Sequence, residues 1–319
     1  MPLLSPKRWR MQPVRLPNLY GELYLPPACP EQSPDAVPIN SPTFHEEVGR
    51  FTRPRPGLVV APSSAGICDV RERHYARYFS DAGFVCLVVD CFTPRGLKQC
   101  ADDQSRLSAR EMNRDLLAGW NLLAGRADTD ADRIAVLGVS RGAGAALDMA
   151  MRLPFSACGH ERFAAHVAIS PPASIQPRRP VTTGAPILML IAGQDDFTGT
   201  EPALRYADRL KTGGADITVH VFPEAHHAWE SCGKPRYYPQ VQCFRDCHFL
   251  LEDDGSYTDE RTGENMSETE LQQARLRCLR LGAHAGGGSV KLRNRTCELI
   301  RRFFSDHGLG ENISVRQPE

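Results

Sequence analysis

The sequence predicts an α/β fold, a mostly parallel central sheet with helices on both faces. Two observations carry that reading. Short continuous apolar runs, such as Phe84-Val-Cys-Leu-Val-Val89, recur along the chain with helix-period segments between them. Unbroken apolar strands belong to sheets covered on both faces, whereas a half-solvated strand alternates. The second is Ile134–Leu147, which reads as a strand, a sharp Gly-rich turn and a small-residue helix.

Bulk properties narrow the function. Lys+Arg and Asp+Glu both number 38 in 319 residues, so the formal net charge is zero. With no global basic field, neither nucleic acid nor an anionic membrane is an expected partner. The apolar runs are strand-length, too short to span a bilayer. Met1–Arg10 lacks the apolar core of a signal peptide, so a cytoplasmic location is expected. The length suits one α/β domain over 1–319. Eleven cysteines are many for such a chain. Cys68, Cys86 and Cys91 lie in or beside apolar strands and read as small buried residues. Cys232, Cys243, Cys247, Cys278 and Cys297 cluster late, where a local disulfide is favoured over a metal because the spacing fits no strong zinc pattern.

Taken in order, residues 1–56 are Pro-rich. Leu19–Leu25 alternates as a strand, and Pro26 to Pro56 holds eight prolines and reads as a surface excursion. Gly57–Ala61 is a buried strand followed by the small-residue loop Pro62–Gly66. Val70–Ala82 is helical, with Tyr75, Tyr78 and Phe79 on one face. Phe84–Asp90 is a strand, and Ser108–Ala127 a helix with Met112, Leu116, Trp120 and Leu123 at helical spacing. Arg133–Leu137 enters the Gly-rich turn and Ala143–Arg152 leaves it. Phe163–Ser170, Ile187–Ala192 and Ile217–Phe222 are strands, with a helix over Pro202–Thr212. Residues 230–287 break the alternation. They are polar, carry most of the late cysteines, and read as an insertion near the site rim, with a hairpin over Phe249–Thr258 and a helix over Glu268–Leu281. The final amphipathic helix spans 290–308.

The chemistry converges on Gly138-Val-Ser-Arg-Gly142. A serine on a tight strand-to-helix turn projects its hydroxyl, and the helix N-terminus behind it favours a developing negative charge. A serine nucleophile needs a base, and the base needs an orienting acid. Asp195 and Asp196 stand at one strand exit and His226 and His227 at the next, in the order serine, acid, histidine. Asp195 and His227 are the preferred pair, which leaves Asp196 and His226 a surface or supporting role. An oxyanion would be held by backbone N–H groups: that of Arg141, after the serine, and that of Ser64, with Ser63 and Ala65 as neighbours. This chemistry requires no cofactor and no metal.

The chain resembles the dienelactone-hydrolase-like branch of the α/β-hydrolase superfamily. The resemblance is carried by Pro62–Gly66, Val88–Gly96, Gly138–Gly142, Gly193–Thr198 and Phe222–His227, and extends over roughly residues 55–230. It implies an α/β-hydrolase fold, with the acid at Asp195 and the histidine at His227. Phe222 and Trp229 fall at the family's aromatic positions, and Ser63 and Trp229 are implied to contact substrate. Arg95 falls where a family arginine meets a substrate carboxylate, the alternative being an arginine that ties down its own loop. Two departures matter. The dienelactone hydrolases proper use cysteine where this chain has Ser140, and many relatives carry His-Gly where Pro62-Ser63 stands. The expectation is therefore a serine hydrolase of carboxylic esters or lactones. A thioesterase, acyltransferase or cyclase using the same triad is the first alternative, and a non-catalytic binding protein on a hydrolase fold the second. The expected partner is a small-molecule ester, lactone or thioester, and a homodimer stays open.

Overall fold

The computed structural model describes residues 10–16, 19–26, 53–152 and 163–310. The strands of its main sheet are β1 (Arg10–Leu16), β2 (Leu19–Leu25), β3 (Arg55–Ala61), β4 (Val85–Val89), β5 (Thr129–Val139), β6 (Ala165–Ile169), β8 (Ile187–Ala192) and β9 (Ile217–Phe222). They lie in the order β1-β2-β4-β3-β5-β6-β8-β9. From β4 to β9 every pairing is parallel, and β1 and β2 form an antiparallel flap on the β4 side. β4 and β8 are buried along their whole length, as their unbroken apolar sequences require.

Alternate side chains of each strand feed two layers. Leu58 and Val60 of β3 face α1 (Glu72–Asp81) and α6 (Val290–Asp306), which contribute Tyr75, Phe79, Ile300 and Phe304. Val59 and Ala61 face α2 (Ala109–Ala124), through Met112, Leu116 and Leu123. On that second face α3 (Arg141–Asp148) and α4 (Thr200–Thr212) pack Leu147 and Tyr206 against Met189 and Ile191. Among the described residues, no helix is long and apolar enough to cross a membrane. The Pro-rich excursion falls mostly on 27–52, outside the described residues.

β1 is an addition to the sequence reading. Its residues are largely exposed apart from Val14, and it carries Pro13. An edge strand tolerates a proline and a polar face because only one side of it must pair.

Residues 230–287 fold against this core. β10 (Pro235–Cys243) pairs antiparallel with β14 (Arg280–Gly286). β11 (Phe249–Leu251) and β12 (Tyr257–Asp259) form the expected hairpin, extended by β13 (Asn265–Met266). β11 also pairs with β7 (Ile175–Pro177), which anchors the insertion to the core. α5 (Glu268–Cys278) opens with a Ser267/Glu270 capping box. A Cys247–Cys278 disulfide ties α5 to the start of the hairpin over a small core of Phe249, Met266 and Leu271.

Candidate active site

The site assembles at the carboxyl ends of β3, β5, β8 and β9. Ser140 sits between β5 and α3 with φ 55° and ψ −120°, a conformation that L-residues adopt only under constraint. The flanking glycines have steric causes. A Cβ on Gly138 would lie 2.0 Å from the Gly142 carbonyl oxygen, and one on Gly142 would lie 2.4 Å from that of Ala61. Both are collisions with backbone, so the tight turn requires glycine at each position. Ser140 Oγ lies 2.9 Å from His227 Nε2.

Asp195 follows β8 and is buried. Its Oδ1 accepts the N–H groups of Phe197 and Thr198, each at 2.9 Å. Its Oδ2 accepts Thr198 Oγ1 at 2.8 Å and faces His227 Nδ1 at 2.8 Å. Burial alone would raise this carboxyl, but the facing His227 and the converging hydrogen bonds outweigh it and hold it down at about 2. An ionised carboxylate only accepts, so Nδ1 carries the proton and Nε2 is free to accept from Ser140. The Phe197 ring stacks on the imidazole with centroids 4.6 Å apart. The insertion holds the histidine from behind, since Gly286 N–H donates to the His227 carbonyl at 2.7 Å.

Asp196 lies in a different environment. Its two carboxylate oxygens take the backbone N–H and the Nδ1 of His284, each at 2.8 Å, and Arg245 donates to its carbonyl. It therefore clasps the insertion to the acid loop. His226 is half-buried beside His284 and stays out of the Ser140–His227–Asp195 chain.

The loop after β3 and the start of α3 present the backbone donors. The Ser63 N–H is taken by Glu72. Those of Ser64 and Arg141 meet no acceptor among the described residues; Arg141 follows Ser140 in the chain, and Ser64 lines the same cavity as Ser140. Ser63, Ser64, Ser140 and His227 line a cavity of about 600 Å³. The insertion supplies much of its wall through Lys234, Arg236, Tyr238 and Val241.

Two substrate contacts implied by resemblance are corrected by the geometry. Trp229 is wholly buried. Its Nε1–H donates to Thr296 at 2.9 Å, and its ring packs against Phe222. Ala228, at φ 55°, turns the chain between His227 and Trp229, so the indole enters the core. Arg95 lies outside the cavity. It pairs with Asp115 at 2.7 Å and Glu111 at 3.4 Å and donates to the Cys91 carbonyl, so it ties down its own loop. Among the described residues, no group of three or more His, Cys, Asp or Glu could hold a metal ion.

A parallel sheet with an elbow serine at its centre defines an α/β-hydrolase. The model of the dienelactone hydrolase family matches residues 47–244, and the chain belongs to that family of carboxylic ester hydrolases. No curated protein matches the chain. Among solved structures, the apo form of esterase 2 from Thermogutta terrifontis is similar at 13% identity, covering 100% of this chain and 99% of that one with a TM-score of 0.54. The same esterase phosphorylated by paraoxon matches at 14% identity, 96% of each chain and a TM-score of 0.51. A Klebsiella pneumoniae protein classed as a dienelactone hydrolase matches at 15% identity over 70% of this chain and 88% of its own, with a TM-score of 0.50.

Proposed function

We propose that the protein hydrolyses a carboxylic ester or lactone through an acyl-enzyme on Ser140. The observation that carries this is the continuous run from Ser140 Oγ through His227 to Asp195, with steps of 2.9 and 2.8 Å. His227 takes the hydroxyl proton as Ser140 attacks the carbonyl, and Asp195 stabilises the resulting imidazolium. The N–H groups of Arg141 and Ser64 hold the tetrahedral oxyanion. His227 then delivers the proton to the leaving alkoxide, and water, activated by the same histidine, releases the acid.

Among the described residues, the charged side chains lining the cavity are Arg71, Lys234 and Arg236, with no carboxylate beside them. That balance favours an ester bearing an anionic group on its acyl or alcohol part. Because the insertion walls the cavity, transfer of the acyl group to an acceptor other than water is the second reading. Product analysis with and without an added thiol or alcohol separates the two.

The test is Ser140→Ala assayed on short p-nitrophenyl esters. Hydrolysis falls to background while the thermal transition stays in place, and retained turnover overturns the assignment. The structurally similar T. terrifontis esterase has been captured phosphorylated by paraoxon. Paraoxon is accordingly a suitable titrant here, with incorporation expected in the wild type and none in the alanine variant.

A further inference from the structure

The first turn of α1 carries two buried polar side chains, Glu72 and Tyr75, that the proposed reaction does not use. Glu72 is completely buried. Its Oε1 accepts the Ser63 N–H at 3.1 Å and its Oε2 the Cys68 N–H at 3.0 Å, so one carboxylate closes both ends of the loop holding Ser64. Tyr75, three residues on and therefore on the same helix face, donates its hydroxyl at 2.8 Å to the equally buried Glu230. Glu230 stands three residues after His227. Arg71, just before the helix, lies 3.5 Å from Glu72 Oε1, and burial pushes the Glu230 carboxyl up, against the charge of Arg71 and the Tyr75 hydrogen bond. Buried carboxylates are costly unless hydrogen-bonded or paired. Glu72 meets two backbone donors and a guanidinium, a complete set for an ion whose side chain approaches neither Ser140 nor the cavity.

We propose that α1 is a brace that sets the oxyanion loop and the histidine loop relative to each other. Glu72 is the positioning residue for the Ser64 N–H, and Tyr75 with Glu230 positions the segment carrying His227. The inference rests on the assignment of Ser64 and His227 given above. The Ser63 carbonyl, in the same peptide group as the Ser64 N–H, accepts the Gly66 N–H at 3.0 Å, and the Ser64 carbonyl in the next peptide group accepts the Cys100 N–H at 2.8 Å. Glu72 holds Ser63, next to Ser64, and Cys68, at the far end of the loop. A carboxylate is suited to this task because both its oxygens accept, and an amide would turn a donor toward one of the two N–H groups.

The test is Glu72→Gln, nearly isosteric, with Tyr75→Phe beside it. For Glu72→Gln, kcat on p-nitrophenyl acetate should fall about 10- to 100-fold, as for a lost charged hydrogen bond, with KM within about threefold. Amide hydrogen exchange across residues 62–68 should accelerate at least about tenfold. Tyr75→Phe should accelerate exchange across 223–231 and leave 62–68 protected. A kcat loss that merely matches a loss of titratable sites, or unchanged exchange at 62–68 in Glu72→Gln, overturns the brace. If the wild type turns over no ester, the functional assignment fails, and the exchange of the two loops still decides the brace.

Discussion

Replacing Asp195 by Asn tests the proposed chemistry at the point where the structure makes the sharpest demand. Two backbone N–H groups point at Oδ1, so the carbonyl oxygen of an asparagine must stay there. Its NH2 group then occupies the place of Oδ2, 2.8 Å from His227 Nδ1. An NH2 can only donate, so Nδ1 must become the acceptor and the imidazole proton moves to Nε2. That nitrogen then faces Ser140 Oγ as a donor and cannot take its proton. The carboxyl is held at about 2, compared with an ordinary value of 3.8, which corresponds to about 2 kcal/mol in favour of its ionised form. Losing both the tautomer and the charge should lower kcat by about 10³- to 10⁴-fold on p-nitrophenyl acetate, with little change in KM. Stability supplies a second reading. An acid whose pKa is lower in the folded chain stabilises the fold above its unfolded value, and that contribution fades as the pH drops from about 4 toward 2. The wild type should therefore lose melting temperature over that window by an increment absent from Asp195→Asn. A variant that keeps kcat within about tenfold and the same acid limb would refute the arrangement.

Two further outcomes follow from the cavity and from the corrected residues. Lys234→Glu combined with Arg236→Glu should raise KM for a hemisuccinate ester about tenfold or more while leaving a neutral ester of similar size unchanged; equal effects on both would remove the case for an anionic substrate. Trp229→Phe removes the hydrogen bond to Thr296 and part of a buried ring. It should lower unfolding free energy by about 1–3 kcal/mol in urea titration and leave KM unaltered, whereas a changed KM would return Trp229 to the substrate.

The main sheet was legible because burial on both faces writes itself as unbroken apolar runs, and β4 and β8 are instances. The elbow was legible for a different reason. Its glycines answer close backbone approaches, which no other residue satisfies. What the sequence hid is non-local. β10 and β14 pair Pro235 with Gly286 across some fifty residues, and Gly- and Pro-bearing segments give no alternation to announce a strand. Trp229 was misplaced because aromatic type is visible in a sequence and a left-handed Ala228 is not. Arg95 had a visible clue, since Glu111 and Asp115 stand four apart on one face of α2 and make an acidic pair that an arginine on the adjoining loop can meet.

The insertion changes how the site is understood. The proposed triad at the carboxyl ends of parallel strands could stand on the core alone, yet here β14 donates to the backbone of His227, and Asp196 clasps His284 beside Asp195. Gln242 of β10 accepts the Gln104 N–H at 2.9 Å, and Gln104 in turn accepts Arg141 Nη1 at 3.1 Å, next to Ser140. Each segment that carries Ser140, Asp195 or His227 is thus tied, directly or through one residue, to the same late element. That element also carries Lys234 and Arg236. On the proposed function, substrate choice and the Ser140–His227–Asp195 geometry share one support, so changes that break the Gln242–Gln104 or Gly286–His227 contacts should lower turnover on every ester, changes at the cavity-lining Lys234 and Arg236 should alter specificity alone, and changes in the α5 region, which packs on its own small core, should leave both largely intact.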